Sequence, residues 1–484
     1  MPPPPRRAPC PHRPTAAGRS VRSSRPVRRS SKPRCRPRGA QPHWRALPAG
    51  VRADALERAA DTFEAQRVHF LSLLQREAGK TLADAVSELR ETVDFCRYYA
   101  AQARALFGAP LPLPGPTGET DRLEWRGRGL FACISPWNFP LAIFTGQISA
   151  ALAAGNAVLA KPAGQTPLIA AAAVRVLHAA GVPAAVLALL PGDGALGARL
   201  VADARIGGVV FTGSTGTARA IQRSLAAQDG PIVPFIAETG GLNALLVDAS
   251  ALPEQAVEDA ITSAFRSAGQ RCSAARLLLV QADAAERVLG LLAGAMAELR
   301  IGDPDDLATD VGPVIDAAAV ATLAAHVERL EREARLVYRC TLPAACAHGS
   351  FFAPQCWEIP DARWLQREVF GPLLHVVRYR AADLDRVIDD VNAAGYGLTF
   401  GIHTRIDETV TRVLGRIRAG NVYVNRSIIG AVVGTQPFGG SGLSGTGPKA
   451  GGPHYLQRFA EERTVSINTT AAGGNAALMT MTED

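Results

Sequence analysis

The stretch FRSAGQRCSAARLLLV, residues 265–280, places Cys272 among small and polar residues directly before an apolar, strand-like run. A thiol in that setting is either a packed small hydrophobe or a nucleophile presented at the start of a buried strand. A second stretch, FTGSTGTA (211–218), sets Gly213 and Ser214 between a β-rich run and a helical one. Backbone amides and a hydroxyl at a helix start are suited to an anion such as phosphate. GDGALG (192–197) matches Gly-x-Gly-x-x-Gly, yet no Asp or Glu lies between Asp203 and Asp229 to take a ribose. It therefore reads as a Gly-rich turn entering a helix. Cys340, Cys346 and His348 are spaced loosely like a metal knuckle but lack a second ligand pair, so no metal is expected. No His-Glu-x-x-His, Walker A or Gly-x-Ser-x-Gly pattern occurs.

The elements that must position these residues read as α/β. Residues 52–106 interleave charged and apolar residues at helical spacing, and PLPLPGPTGETDRLEWRGRG reads as a proline-led turn and polar hairpin. From there short β-branched runs alternate with Ala-rich helices, first to about 250 and again from 251 to 425. Such alternation predicts two parallel-sheet domains with both faces covered. The uncharged segment 129–160 is interrupted by Pro136, Asn138, Pro140, Gln147 and Asn156, so it reads as a strand, a turn and a buried helix, with no membrane span.

Composition narrows the function classes. The 484 residues are 47% hydrophobic, enough for a large core. The formal charge of +8 is uneven: of 52 Lys+Arg, 13 fall in the first 50 residues with no acid, leaving 39 basic against 44 acidic groups elsewhere. Residues 1–50 also hold 12 prolines, so they are expected to be a disordered basic tail. They lack the apolar core of a secretory signal. A basic arm for nucleic acid is the minor alternative. Eight cysteines without a repeating framework suggest free thiols in a reducing compartment, the cytoplasm.

Seven motifs then carry a resemblance. PWNFP (136–140), AKPAGQTP (160–167), FTGS (211–214), ETGGLNA (238–244), GQRCSA (269–274), EVFGP (368–372) and QPFGG (436–440) stand in the order and spacing of the NAD(P)-dependent aldehyde dehydrogenase superfamily. SAGQRCSA, IIGAVVG, PFGGSGLSGTGPKAGGPHY and VSINTTAAGGNA narrow it. Over roughly 51–484 the chain resembles the L-glutamate γ-semialdehyde dehydrogenase modules of bacterial bifunctional proline utilisation proteins.

The resemblance implies an aldehyde dehydrogenase-like fold. Residues 51–240 form the NAD-binding domain, interrupted by an oligomerisation hairpin at 109–127. A catalytic domain follows over 241–455, and 456–475 adds an oligomerisation strand and C-terminal tail. It implies that Cys272 attacks the aldehyde, giving a thiohemiacetal and, after hydride loss, a thioester. Asn138 and the Cys272 amide stabilise the alkoxide, and Glu238 is the base for hydrolysis. Lys161, Gly213, Ser214 and Glu368, with Trp137 and Phe370, make up the cofactor set for NAD. Ser273, Gly430 and Ala431 anchor the substrate carboxylate, with Phe139 and Phe438 as an aromatic clamp. The partners implied are the aldehyde itself, a second copy in a homodimer or higher oligomer, and a proline dehydrogenase as the source of substrate.

The chain departs from the family's pattern in three places. Gly164 stands where the family has a Glu that disfavours NADP, so NADP stays open beside NAD. Gly216 also stands where Glu is common. Ahead of the helix near residue 54 the resemblance implies further cofactor-domain strands, where this chain has its Arg/Pro tail. The alternatives are a dehydrogenase for another semialdehyde or aliphatic aldehyde, and an inactive fragment acting only through subunit association.

Overall fold

The computed structural model describes residues 41–115 and 118–468. Residues 1–40 of the expected tail lie outside them, but 41–50 correct the boundary. Gln41–Ala46 is a helix, α1, and α2 (Ala49–Ala65) starts directly after it. Trp44 is buried, and its indole N–H donates to the Leu152 carbonyl at 3.1 Å. One large aromatic with a satisfied polar atom is enough to order a segment that composition alone assigns to the tail.

The helical pattern over 52–106 becomes three helices, α2, α3 (Arg67–Ala78) and α4 (Leu82–Phe107). Gly79, at φ +64°, ends α3 in the left-handed conformation, and Thr81 caps α4 by accepting from the Asp84 amide. Strands β1 (Leu111–Leu113) and β2 (Glu119–Gly127) form the expected hairpin. Next come β3 (Leu130–Ile134), α5 (Ala142–Ala153), β4 (Ala157–Lys161), α6 (Pro167–Ala179), β5 (Leu187–Leu189), α7 (Gly194–Val201), β6 (Gly208–Thr212), α8 (Thr215–Ala226) and β7 (Phe235–Glu238). Helix α5 is apolar all round and buried along nearly its whole length, which is why the uncharged run 129–160 imitates a membrane span. Among the described residues no helix is long and apolar enough to cross a membrane.

The second alternation supplies β8 (Ala244–Val247), α9 (Pro253–Phe265), β9 (Leu277–Gln281), β10 (Arg335–Arg339), β11 (Gln355–Glu358) and β12 (Leu373–Tyr379). The two-residue strand β13 (Tyr396–Gly397), β14 (Thr399–His403), β15 (Asn421–Val424), the two-residue β16 (Ser441–Gly442) and β17 (Ala460–Asn468) complete it.

Strands β3 to β7 form one parallel sheet in the order β5-β4-β3-β6-β7, and seven later strands form another, β10-β11-β12-β9-β8-β14-β15. The second is parallel except for the antiparallel edge pair β10–β11. Strands such as AVLAK and LLLV are buried on both faces, so they lack the alternation of a one-sided sheet. Each sheet has its own hydrophobic core. The third sheet, β1-β2-β17, pairs residues 460–468 with 119–127 in antiparallel register. The two parallel-sheet α/β units expected from the alternation are therefore present.

Candidate active site

Cys272 sits in the turn between α9 and β9, at the N-terminal edge of the seven-stranded sheet. Just before it, Ser267, Ala268 and Gly269 run consecutively at φ +54°, +53° and +66°. For the two residues with a Cβ this costs on the order of 1–3 kcal/mol each and persists only when surrounding contacts hold it. Here the Ser267 amide donates to Asp84 at 3.0 Å, and the Gln270 amide donates to the Ser267 carbonyl. A Cβ on Gly269 would lie 2.2 Å from the Gly371 carbonyl oxygen, so that close approach admits glycine alone. Beyond the nucleophile, Asn243 donates to the carbonyls of Cys272 (2.6 Å) and Ala274 (2.9 Å).

The Cys272 thiol is half-buried and pushed up to about 12, chiefly by burial and then by the negative charges of Glu368 and Glu238. Glu238, at the C-terminal end of β7, lines the same cavity of about 500 Å³. One of its oxygens accepts from the Gly440 amide at 3.3 Å; the other is buried without a protein partner. Burial raises this carboxyl well above the usual range, outweighing Gly440 and the Lys449 ammonium. A carboxylate with one unoccupied, desolvated oxygen is suited to taking a proton from water or thiol. Gly439 and Gly445 make room for it, since a Cβ on either would come within about 3 Å of a carboxylate oxygen.

Asn138 precedes α5, and its amide donates to the Gln270 carbonyl at 3.1 Å, two residues before the nucleophile. An amide nitrogen carries two N–H groups, so one is left beyond the bond to Gln270. Phe139, Ser273, Gly430, Ala431 and Phe438 line the cavity with Cys272 and Glu238. Gly430 takes φ +77°, which turns the following backbone in a way that favours glycine.

Four of the expected cofactor residues, Trp137, Lys161, Gly213 and Ser214, lie at the C-terminal ends of the five-stranded sheet, and Glu368 and Phe370 precede β12 of the other. The order of the five-stranded sheet reverses at β3, between β3 and β6, the switch point where α/β sheets open a crevice for dinucleotides. Trp137 follows β3, Lys161 ends β4, and Gly213 and Ser214 join β6 to α8. Lys161 is buried; its pKa is lowered by burial, against the opposing charge of Asp193. The Gly213 amide donates to the Glu238 carbonyl at 3.1 Å, and the Ser214 hydroxyl caps α8 by accepting from Thr217. The first α8 amides, Thr215 and Gly216, have no acceptor within their own helix, as helix starts require. At Gly164 and Gly216 an added Cβ would meet nothing within 4 Å. Phe370 packs edge-on against Trp137 at 5.5 Å between ring centroids. Glu368 lies against Gly240, where a Cβ would overlap its carboxylate, and pairs with Arg276 at 3.2 Å.

Some residues of the site were not singled out by the motifs. Asp84, Glu88 and Glu91 recur at i, i+4 and i+7 along α4, one helix face, and Asp84 and Glu88 are buried. Burial alone would raise Asp84, but Arg271 at 2.8 Å, Lys80 and Arg266 hold it down at about 2. Glu88 accepts from the Leu141 and Ala142 amides and pairs with Lys80 at 2.6 Å, anchoring the turn that carries Asn138 and Phe139. Glu91 lines the cavity and is raised to about 7 by burial and then by Glu88. Acids at helical spacing inside an otherwise apolar stripe were the available signal. Cys340 and Cys346, by contrast, point their thiols at the Met296 and Ile301 carbonyls.

A dinucleotide-type switch point beside a cavity holding a strained cysteine loop and a raised carboxyl defines a thiol-using dehydrogenase. The Aldehyde dehydrogenase family model matches residues 35–465, and the chain belongs to that family. It is 52% identical over 431 residues to the bifunctional protein PutA of Klebsiella aerogenes, covering 87% of this chain and 32% of that one. It is 38% identical over 429 residues to the 1-pyrroline-5-carboxylate dehydrogenase of Geobacillus thermodenitrificans, covering 87% of this chain and 82% of the relative. A crystal structure of bifunctional proline utilization A superposes with a TM-score of 0.89 at 61% identity, covering 90% of this chain and 44% of that one. The 1-pyrroline-5-carboxylate dehydrogenase of Thermus, solved with bound NAD, superposes at 0.85 and 34% identity, covering 89% of this chain and 84% of that one. The chain thus spans about a third of the length of the bifunctional relatives.

Proposed function

We propose that the chain oxidises L-glutamate γ-semialdehyde, the ring-opened form of 1-pyrroline-5-carboxylate, to L-glutamate with NAD in the cytoplasm. One observation carries the substrate assignment: Ser273, Gly430 and Ala431 share the cavity of Cys272 and Glu238, with Phe139 and Phe438 lining it as well. The Ser273 hydroxyl and the 430–431 amides hold the α-carboxylate, and the rings pack on the aliphatic chain between it and the aldehyde. The 1-pyrroline-5-carboxylate dehydrogenases among the relatives, which the chain covers over most of their length, support the same reading.

The Cys272 thiol gives its proton to solvent water as the sulfur adds to the aldehyde carbon. Asn138 and the Cys272 amide hold the resulting alkoxide. NAD, when bound, accepts the hydride that leaves this carbon. A thioester on Cys272 remains. Glu238 then takes a proton from water, hydroxide adds to the thioester, and Cys272 leaves as the thiolate. Trp137, Lys161, Ser214 and the start of α8 would hold the cofactor from the five-stranded sheet, and Glu368 and Phe370 from the segment before β12. A proline-oxidising dehydrogenase, on this or another chain, supplies the substrate.

The test is NADH formation by wild type, Cys272→Ala and Ser273→Ala with L-glutamate γ-semialdehyde and with propanal. Wild type turns over the semialdehyde and Cys272→Ala turns over neither. Ser273→Ala raises KM for the semialdehyde about tenfold while leaving propanal unchanged. Equal effects of Ser273→Ala on both aldehydes would remove the substrate assignment.

A further inference from the structure

We propose that Arg276 is a positioning residue that locks the nucleophile loop and the cofactor loop into one frame, acting on the reaction through Glu368, Phe370 and the carbonyls before Cys272. The inference rests on the reading of those residues given above.

Arg276 lies four residues after the nucleophile, immediately before β9, and is completely buried. One terminal nitrogen donates to the Gly269 carbonyl at 2.8 Å and to the Gly371 carbonyl at 3.1 Å. The other donates to the Arg271 carbonyl at 3.0 Å and to Glu368 at 3.2 Å. Each nitrogen therefore bridges the two loops, one partner in 269–271 and one in 368–371. The same guanidinium carbon sits 5.2 Å from the centroid of Phe370, whose other contact is Trp137. Its backbone carbonyl accepts from the His375 amide on β12 at 3.0 Å, fixing the base of the side chain.

A buried guanidinium is costly unless its donors are satisfied. The Gly269 carbonyl has the Arg276 side chain as its partner, while the Gly371 and Arg271 carbonyls also accept from the Leu373 and Ala274 amides. The planar fork spends both terminal nitrogens on these four acceptors, leaving Nε without a protein partner, and fixes the angle between the loops. A lysine keeps the charge, but its tetrahedral donors on a flexible stem cannot hold four partners in one plane. Movement of Glu368 is thereby passed to the carbonyl of Arg271, the residue joined to Cys272.

The test uses the full chain and two readouts that need no turnover: the NAD dissociation constant by tryptophan fluorescence, and the alkylation rate of Cys272 by iodoacetamide, followed on its own peptide. Arg276→Lys, Glu368→Gln and the double variant are compared with wild type. Folded Arg276→Lys should weaken NAD by about tenfold or more and change the alkylation rate by at least about threefold. The double variant should bind NAD within about twofold of Glu368→Gln alone, because the two residues act in series. Multiplicative losses, or an Arg276→Lys protein equal to wild type in either readout, overturn the proposal. Should Arg276→Lys fail to fold, Glu368→Asp, which keeps the charge but shortens the reach to Arg276, decides: a changed Cys272 alkylation rate supports the link and an unchanged one overturns it. A wild type that binds no NAD and oxidises no aldehyde sinks the functional reading, whereas an active wild type with neutral or additive variants sinks only the role of Arg276.

Discussion

At the scale of single residues, Glu238 carries opposite consequences for activity and stability. Its removal should stop hydrolysis more than acylation. Glu238→Gln is expected to lower steady-state turnover about 10²-fold or more while keeping a burst of one NADH per Cys272. A rapid-mixing experiment that shows no burst would contradict the assignment of Glu238 to hydrolysis. The raised carboxyl also fixes a sign for stability. A group whose folded pKa lies above its unfolded value stabilises fully below the unfolded value, about 4, and loses that stability as pH rises through the folded value. As pH rises from 4 the wild type loses stability through this desolvated carboxyl and Glu238→Gln does not. The variant should melt at a higher temperature at pH 8, with the gap closing toward pH 4. A variant that melts lower at pH 8 would show that the charge is better compensated than the orphaned oxygen suggests. Cys272 was legible as the candidate nucleophile, because a cysteine among small residues before a strand run stands out. Arg276 and Asn243 were not, because a basic or amide side chain in a motif gives no sign of which distant carbonyls it will satisfy.

At the scale of elements, α4 is what holds the strained cysteine turn. Asp84 receives the Ser267 amide and the Arg271 guanidinium, so one carboxylate pins both ends of the left-handed run. Asp84→Asn keeps an acceptor for the amide but leaves buried Arg271 without its counter-charge, which costs about 3–5 kcal/mol. Because Asp84 is depressed to about 2, its contribution is present above the unfolded value near 4 and is lost as pH falls through about 2. Urea unfolding should show the full deficit of the variant at pH 7 and a shrinking one toward pH 3. A deficit independent of pH would mean that packing, and not charge, is what Asp84 supplies. The helical pattern of 52–106 was readable, but its breaks at Gln66 and Gly79 and its acidic inner face depend on what packs against it.

At the scale of the molecule, the β1-β2-β17 sheet projects two exposed apolar side chains, Leu111 (57% exposed) and Ile467 (45%). With the flap as the oligomerisation surface, Leu111→Asp combined with Ile467→Asp should shift the molar mass seen by light scattering to a smaller species at equal concentration. An unchanged mass would move the interface elsewhere. The hairpin 109–127 follows from its proline-led turn. Its partner, 460–468, lies more than 300 residues along the chain, and no local pattern connects the two.

The sequence by itself determined the alternation of strands and helices, the motif order that marks an aldehyde dehydrogenase, and the choice of Cys272 and Glu238 as candidates, because periodicity and motif spacing are local properties. Only the tertiary structure decided that residues 41–50 leave the tail, that the Gly213 amide is spent on the Glu238 carbonyl, and that Arg276 joins two loops. Each of these depends on which polar groups are taken out of water together, and that pairing is made between segments far apart in the chain.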